Sequence, residues 1–106
     1  MTVAQRFGAN LARHRKRAGL SQEETAVRAS IHRTAVGMLE RAERVARADT
    51  IVKLAWALEI NPGDLFKGIV WEPGSVRVGC FIAQEVPGPG TVQRSVRAER
   101  PTKRGG

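Results

Sequence analysis

The chain has 106 residues, enough for one domain with a small helical core and a tail, but not for a deep catalytic cleft. Its 18 Lys and Arg against 10 Asp and Glu leave a formal charge of +8, which favours a polyanionic partner, most simply nucleic acid. No run of about 18 apolar residues is present to cross a membrane, and the N-terminal MTVAQRFGAN lacks the basic-then-apolar layout of a secretory signal.

The lone Cys80 permits neither an internal disulfide nor a cysteine-based zinc site, and it fits a reducing cytoplasm. Two His and one Cys with no convincing triad or metal cluster give no basis for an enzyme, a metal or a cofactor.

From Ala4 to Ala18 the only breaker is Gly8, and Val3, Phe7, Leu11 and His14 share one helical face. Arg13, Arg15, Lys16 and Arg17 crowd the last turns, where cations meet the negative end of the helix dipole, and Gly19 supplies the stop. Ser21 with Glu24 makes an S-x-x-E capping box for a second helix running to about Ala29. Ser30 and Ile31 form a turn. A third helix is expected to start at Ser30 or His32 and to end near Arg41, with Val36 and Leu39 inward.

A fourth helix is expected from about Ala48 to Glu59, because Ile51, Leu54, Ala55 and Leu58 form a core stripe at helical spacing. Trp56 projects about 140° from the centre of that stripe at 100° per residue, so with Val52 it makes an apolar side patch. Asn61-Pro62-Gly63-Asp64 opens a short fifth helix with a cap, a proline suited to the first position and an early acid. Beyond Gly68, Ile69-Val70-Trp71 and Val76-Arg77-Val78 flank Glu72-Pro73-Gly74-Ser75, a type II turn signal. A small hairpin is therefore expected, its second strand extending towards Ile82. An isolated hairpin is marginal in water, so it should cover the Val52/Trp56 patch, within one chain or across a dimer, with Trp71 contributing. From Pro87 onward almost no core-forming residue remains, and a disordered basic tail is expected.

The stretch Leu20 to Glu40 carries the function. A capped helix, a short turn and a second helix make a helix-turn-helix, whose second helix fits the major groove of DNA. Arg33 and Thr34 are placed to open that helix. Arg pairs bidentately with guanine O6 and N7, and Thr bonds a base or touches a thymine methyl. Gly37 and Met38 offer a thinner surface a turn later. Gln22 can meet a phosphate beside the unpaired N–H groups of its helix.

The pieces GLSQEE (Gly19 to Glu24), Ala26, Leu39-Glu40-Arg41, and TIVKLAWAL followed by INPGDLF (Thr50 to Phe66), in this order over residues 7 to 66, resemble the phage-repressor, Cro-like helix-turn-helix family, also called the XRE family. The resemblance implies an all-α, five-helix lambda-repressor-like domain, commonly dimeric on two-fold operators, here with a short C-terminal β-hairpin or strand and a disordered tail. It places the base-reading positions on His32, Arg33, Thr34, Gly37 and Met38. Phosphate contacts fall on Gln22, Arg41 and Arg44, and the basic run adds Arg15 and Lys16. The chain departs from the family's pattern at His14 and Thr25, where Leu is usual, at Ser30 and Ala42, where Gly is usual, and at Ala46, a common Pro.

The expected organisation is thus 1–68 as the DNA-binding domain, 69–86 as a β or extended packing or dimerisation element, and 87–106 as the tail. The expected function is sequence-specific regulation of transcription, as a homodimer on an inverted repeat in double-stranded DNA. The alternative is an antitoxin-type module whose C-terminal segment binds a partner protein. A membrane partner is not expected.

Overall fold

The computed structural model describes residues 1–74 and 79–83. Helix α1 (Val3–Arg17) opens on a capping box not read from the sequence. Thr2 Oγ1 accepts from the Gln5 N–H at 3.1 Å, and Gln5 Oε1 accepts from the Thr2 N–H at 2.8 Å. Helix α2 (Gln22–Ala29) has the expected box at Ser21 and Glu24, with bonds of 2.9 and 2.8 Å. Helix α3 (Ala35–Glu40) and helix α4 (Ala48–Leu58) follow, then a 3-10 helix over Pro62–Phe66.

Two boundaries differ from expectation. Helix α3 begins at Ala35, so Arg33 and Thr34 sit in the turn that enters it. The reason is local: Ser30 is left-handed (φ 57°) and closes α2, while His32 turns the chain, its carbonyl accepting from the Ala35 N–H at 2.9 Å. The fifth helix is not an α-helix. Pro62 at its start and Gly68 (φ 86°) just beyond its end leave one tight turn, closed by Asp64 N–H to Asn61 O at 2.9 Å. The described fold is therefore four α-helices, a 3-10 turn and a two-stranded sheet.

One core joins these elements. Phe7 and Leu11 of α1, Ala26 and Ala29 of α2, Val36 and Leu39 of α3, Leu54, Ala57 and Leu58 of α4, and Leu65 are buried together. Ala26, Ala29 and Ala57 are small where α2 meets α4, so these helices approach closely, and Arg28 donates to the Ala57 carbonyl at 3.2 Å. Thr25, in a position where Leu is usual, is fully buried, and its hydroxyl donates to the Ser21 carbonyl at 2.9 Å.

Gly8 sets how α1 crosses α3. A Cβ there would lie 2.5 Å from the Leu39 oxygen and 2.8 Å from the Glu40 oxygen. Asn10, fully buried, was not singled out by the sequence pattern. Its amide donates to the carbonyls of Leu65 (2.9 Å) and Lys67 (3.0 Å), while its oxygen accepts from Arg13 at 3.1 Å. This fixes the 3-10 turn to α1 and sets the direction in which the chain leaves the helices.

Strands β1 (Ile69–Glu72) and β2 (Cys80–Ala83) pair antiparallel, with Trp71 opposite Phe81 and Glu72 opposite Cys80. The tight turn expected at Glu72–Ser75 would pair Trp71 with Val76, so the register is corrected. Half-buried Ile82 and Ala83 lie in a strand that packs on α1, and Phe81 meets Trp71 edge-on at 4.9 Å. Gly79 lies under the Trp71 ring, which would collide with any Cβ at that position. Packing thus favours the apolar run Cys80–Ala83 as the partner of β1, and the expected strand residues Val76–Val78 lie outside the described residues. The expected disordered tail at 87–106 also lies outside the described residues.

Candidate nucleic-acid interface

The end of α3 is fastened to the start of α2 by buried polar contacts. Arg15 Nε and Nη2 donate to the Glu40 carboxylate at 2.6 and 3.1 Å, and Arg15 Nη1 donates to the Leu20 carbonyl at 2.8 Å. The two side chains are only 12% and 8% exposed. The hydrogen bond to Glu40 raises the Arg15 pKa above its ordinary value, against the opposing effect of burial. Gln22 joins the pair by donating from Nε2 to Glu40 Oε1 at 2.9 Å.

Glu40 is thus one half of a buried structural ion pair. Arg15 is not the exposed phosphate contact expected from the basic run, because its guanidinium is turned inward to hold Glu40 and Leu20. Lys16, the next cation of the run, is exposed.

Gln22, Arg33, Thr34, Gly37 and Arg41 line one shallow depression together with Glu23. The structure thus brings five of the expected contact residues onto one face. His32 is exposed and caps the turn: its Nδ1 accepts from the Thr34 N–H at 3.2 Å and lies 2.9 Å from Thr34 Oγ1. That cap fixes the turn that presents Arg33 and Thr34, and it leaves the ring exposed. Met38 is half-buried, and Arg44 is exposed beyond α3.

Gly37 has a use its helix propensity hides. A Cβ there would lie 2.9 Å from Arg41 Nη1 and 3.1 Å from Gln22 Oε1, so its missing side chain is what admits both neighbours. Arg41 is held in turn by Glu43, which accepts from Nε at 2.9 Å and from Nη2 at 3.2 Å. This pair raises the Arg41 pKa and lowers that of Glu43, in each case first through the side-chain hydrogen bond between them.

The apolar patch lies elsewhere. Trp56 is 74% exposed and Val52 58%, one turn apart on α4. Trp71 and Phe81 are half-exposed on the hairpin. Within one chain the described part of the hairpin does not cover Trp56, because β2 packs on α1 instead. No helix of the described residues is long and apolar enough to cross a membrane.

Comparison with known proteins agrees with this geometry. The helix-turn-helix domain family matches residues 6–66. The restriction-modification controller protein C.AhdI from Aeromonas hydrophila is 41% identical, with a TM-score of 0.58 over 59% of this chain and 96% of its own. A hypothetical transcription factor, NHTF from Neisseria, is 30% identical, with a TM-score of 0.59 over 60% of this chain and 74% of its own. The P22 c2 repressor, solved in complex with a synthetic operator, shares the fold at 24% identity and a TM-score of 0.55, over 58% of this chain and 94% of its own. No protein of curated function matches.

Proposed function

This chain belongs to the helix-turn-helix family of DNA-binding transcriptional regulators, in its XRE, phage-repressor-like branch, and from that premise we propose that it represses transcription as a homodimer bound to an inverted-repeat operator. The observation that carries the reading is the single face on which Gln22, Arg33, Thr34, Gly37 and Arg41 meet. In a major groove this face presents a bidentate donor at Arg33 and a short hydroxyl at Thr34, with His32 beside them and Met38 a turn along. Gln22, Lys16 and Arg44 are the proposed phosphate contacts; they position the domain and carry no sequence information.

The net charge of +8 supports binding that weakens steeply with salt. The Val52 and Trp56 patch is the proposed seat of a second copy, which would set two recognition turns about one helical turn of DNA apart. Selection of bound sequences from a random duplex pool tests the reading. A two-fold consensus with half-sites about 10 base pairs apart is expected. Equal recovery of all sequences would reject sequence-specific regulation.

A second reading is favoured by the exposed aromatic pair Trp71 and Phe81: a module that also grips a protein partner through its hairpin, with DNA binding autoregulatory. Co-purification with the product of a neighbouring toxin-like gene, lost in Trp71→Ala, would support it.

A further inference from the structure

Arg41 stands at the phosphate-contacting position implied by the family resemblance, and its guanidinium is oriented on the face that carries Arg33 and Thr34. A phosphate can also accept two parallel guanidinium donors, so the case for a base rests on where Arg41 is held. Arg41 is oriented by an exposed pair with Glu43 and by the room left beside Gly37. Glu43 accepts from Nε and Nη2 along one side of the guanidinium, and Nη1 lies over the bare backbone of Gly37.

A guanidinium has five N–H groups in a rigid fork. A carboxylate on the Nε side uses one N–H of Nε and one of Nη2. The remaining edge, formed by Nη1 and the second N–H of Nη2, then carries two parallel donors. Two parallel donors are what guanine O6 and N7 accept. Arg41 lines the same depression as Arg33 and Thr34, which brings it beside the expected reading residues.

Gly37 completes the arrangement. On a helix, residues four apart are neighbours, and a Cβ at 37 would crowd Arg41 Nη1 from its present place. We propose that Arg41, braced by Glu43 and admitted by Gly37, reads a guanine in the operator, as a second specificity-determining arginine beside Arg33.

This rests on the DNA-binding reading above, and the test separates the two. Sequence selection is run on the wild-type chain and on Arg41→Lys, Glu43→Gln and Gly37→Ala, with thermal melts to check folding. Affinities at fixed salt are then measured for the selected duplex and for one with the assigned guanine replaced. Arg41→Lys keeps the charge and should lose that guanine from the consensus, binding the selected duplex about tenfold more weakly, a typical worth of one bidentate pair. It should bind the guanine-replaced duplex as the wild type does. Gly37→Ala should weaken preference at the same consensus position, because its Cβ makes Nη1 shift, and Glu43→Gln should blur it.

An unchanged consensus in Arg41→Lys overturns the proposal, and so does a loss spread evenly over all duplexes. If the wild-type consensus depends on Arg33 and not on Arg41, only the role of Arg41 falls. If the wild type selects no consensus, the regulatory reading falls with it.

Discussion

Ser30 pays a local conformational cost that a glycine would not. Its φ of 57° places a Cβ-bearing residue in the left-handed region, at a position where the family usually carries glycine. Ser30→Gly should therefore raise stability by about 0.5–1 kcal/mol, the relief of backbone strain exceeding the extra freedom gained by the unfolded chain. An unchanged or lower denaturation midpoint would show that Ser30 is not strained. His14 is the second residue with a legible consequence. It is half-buried on α1, and its pKa is lowered by desolvation first, then by Arg13 and Arg17, with Lys67 adding to them and Asp64 opposing. The folded state thus binds this proton less readily than the unfolded state. Its contribution to stability is complete above the ordinary histidine value of about 6.5 and is lost as pH falls through the depressed folded value. His14→Leu should remove that part of the acid-side decline, seen as a flatter midpoint-against-pH curve just below about pH 6.5. A parallel curve would exclude the assignment.

At the scale of elements, the crossing of α1 and α3 depends on one missing side chain. Gly8→Ala improves intrinsic helix propensity, yet its Cβ would meet the Leu39 and Glu40 carbonyls, and backbone oxygens cannot swing aside as a side chain can. A net loss of about 1–3 kcal/mol is expected, measurable by urea unfolding, and a gain would mean that the helices can slide apart freely. Elements were legible where the signal is local. Ser21 with Glu24, the stripe Ile51–Leu58 and Asn61-Pro62 each act within a few residues, and each marks an observed boundary. What escaped depends on distant partners. Asn10 is an ordinary polar residue until it meets two carbonyls more than fifty positions away. The register of the hairpin follows from packing on α1 and from the Trp71 ring over Gly79, not from the Pro-Gly signal. The later start of α3 has a local cause instead, the left-handed Ser30 and the turn at His32, which no short polar-residue pattern announces. Within the interface, the grouping of Gln22, Arg33 and Thr34 was readable, but Arg15 looked like a free cation until its carboxylate partner was seen 25 positions along.

For the whole molecule, the proposed pairing of two copies would set specificity, since one short recognition face reads few base pairs. If Val52 and Trp56 seat a second copy, Trp56→Glu should leave the protein monomeric in sedimentation at concentrations where the wild type dimerises. Its fold should persist, because the side chain is mostly exposed within one chain. Binding to a full inverted repeat should fall far more than binding to a half-site. A variant that still dimerises would move the interface elsewhere, with the exposed aromatic face of the hairpin as the next surface to alter.

The separation between Arg15, Glu40 and Gly8, which hold the helices, and Arg33, Thr34 and Arg41, which stand exposed on them, also bears on descent. Substitution at the exposed positions disturbs no core contact, so under the proposed reading a lineage could retune its operator through single changes at little risk to folding. The frame residues have no such latitude. Paralogues that diverge in target would therefore accumulate differences at 33, 34 and 41 while keeping 8, 15 and 40, and duplicated copies could become insulated from one another without passing through an unfolded intermediate.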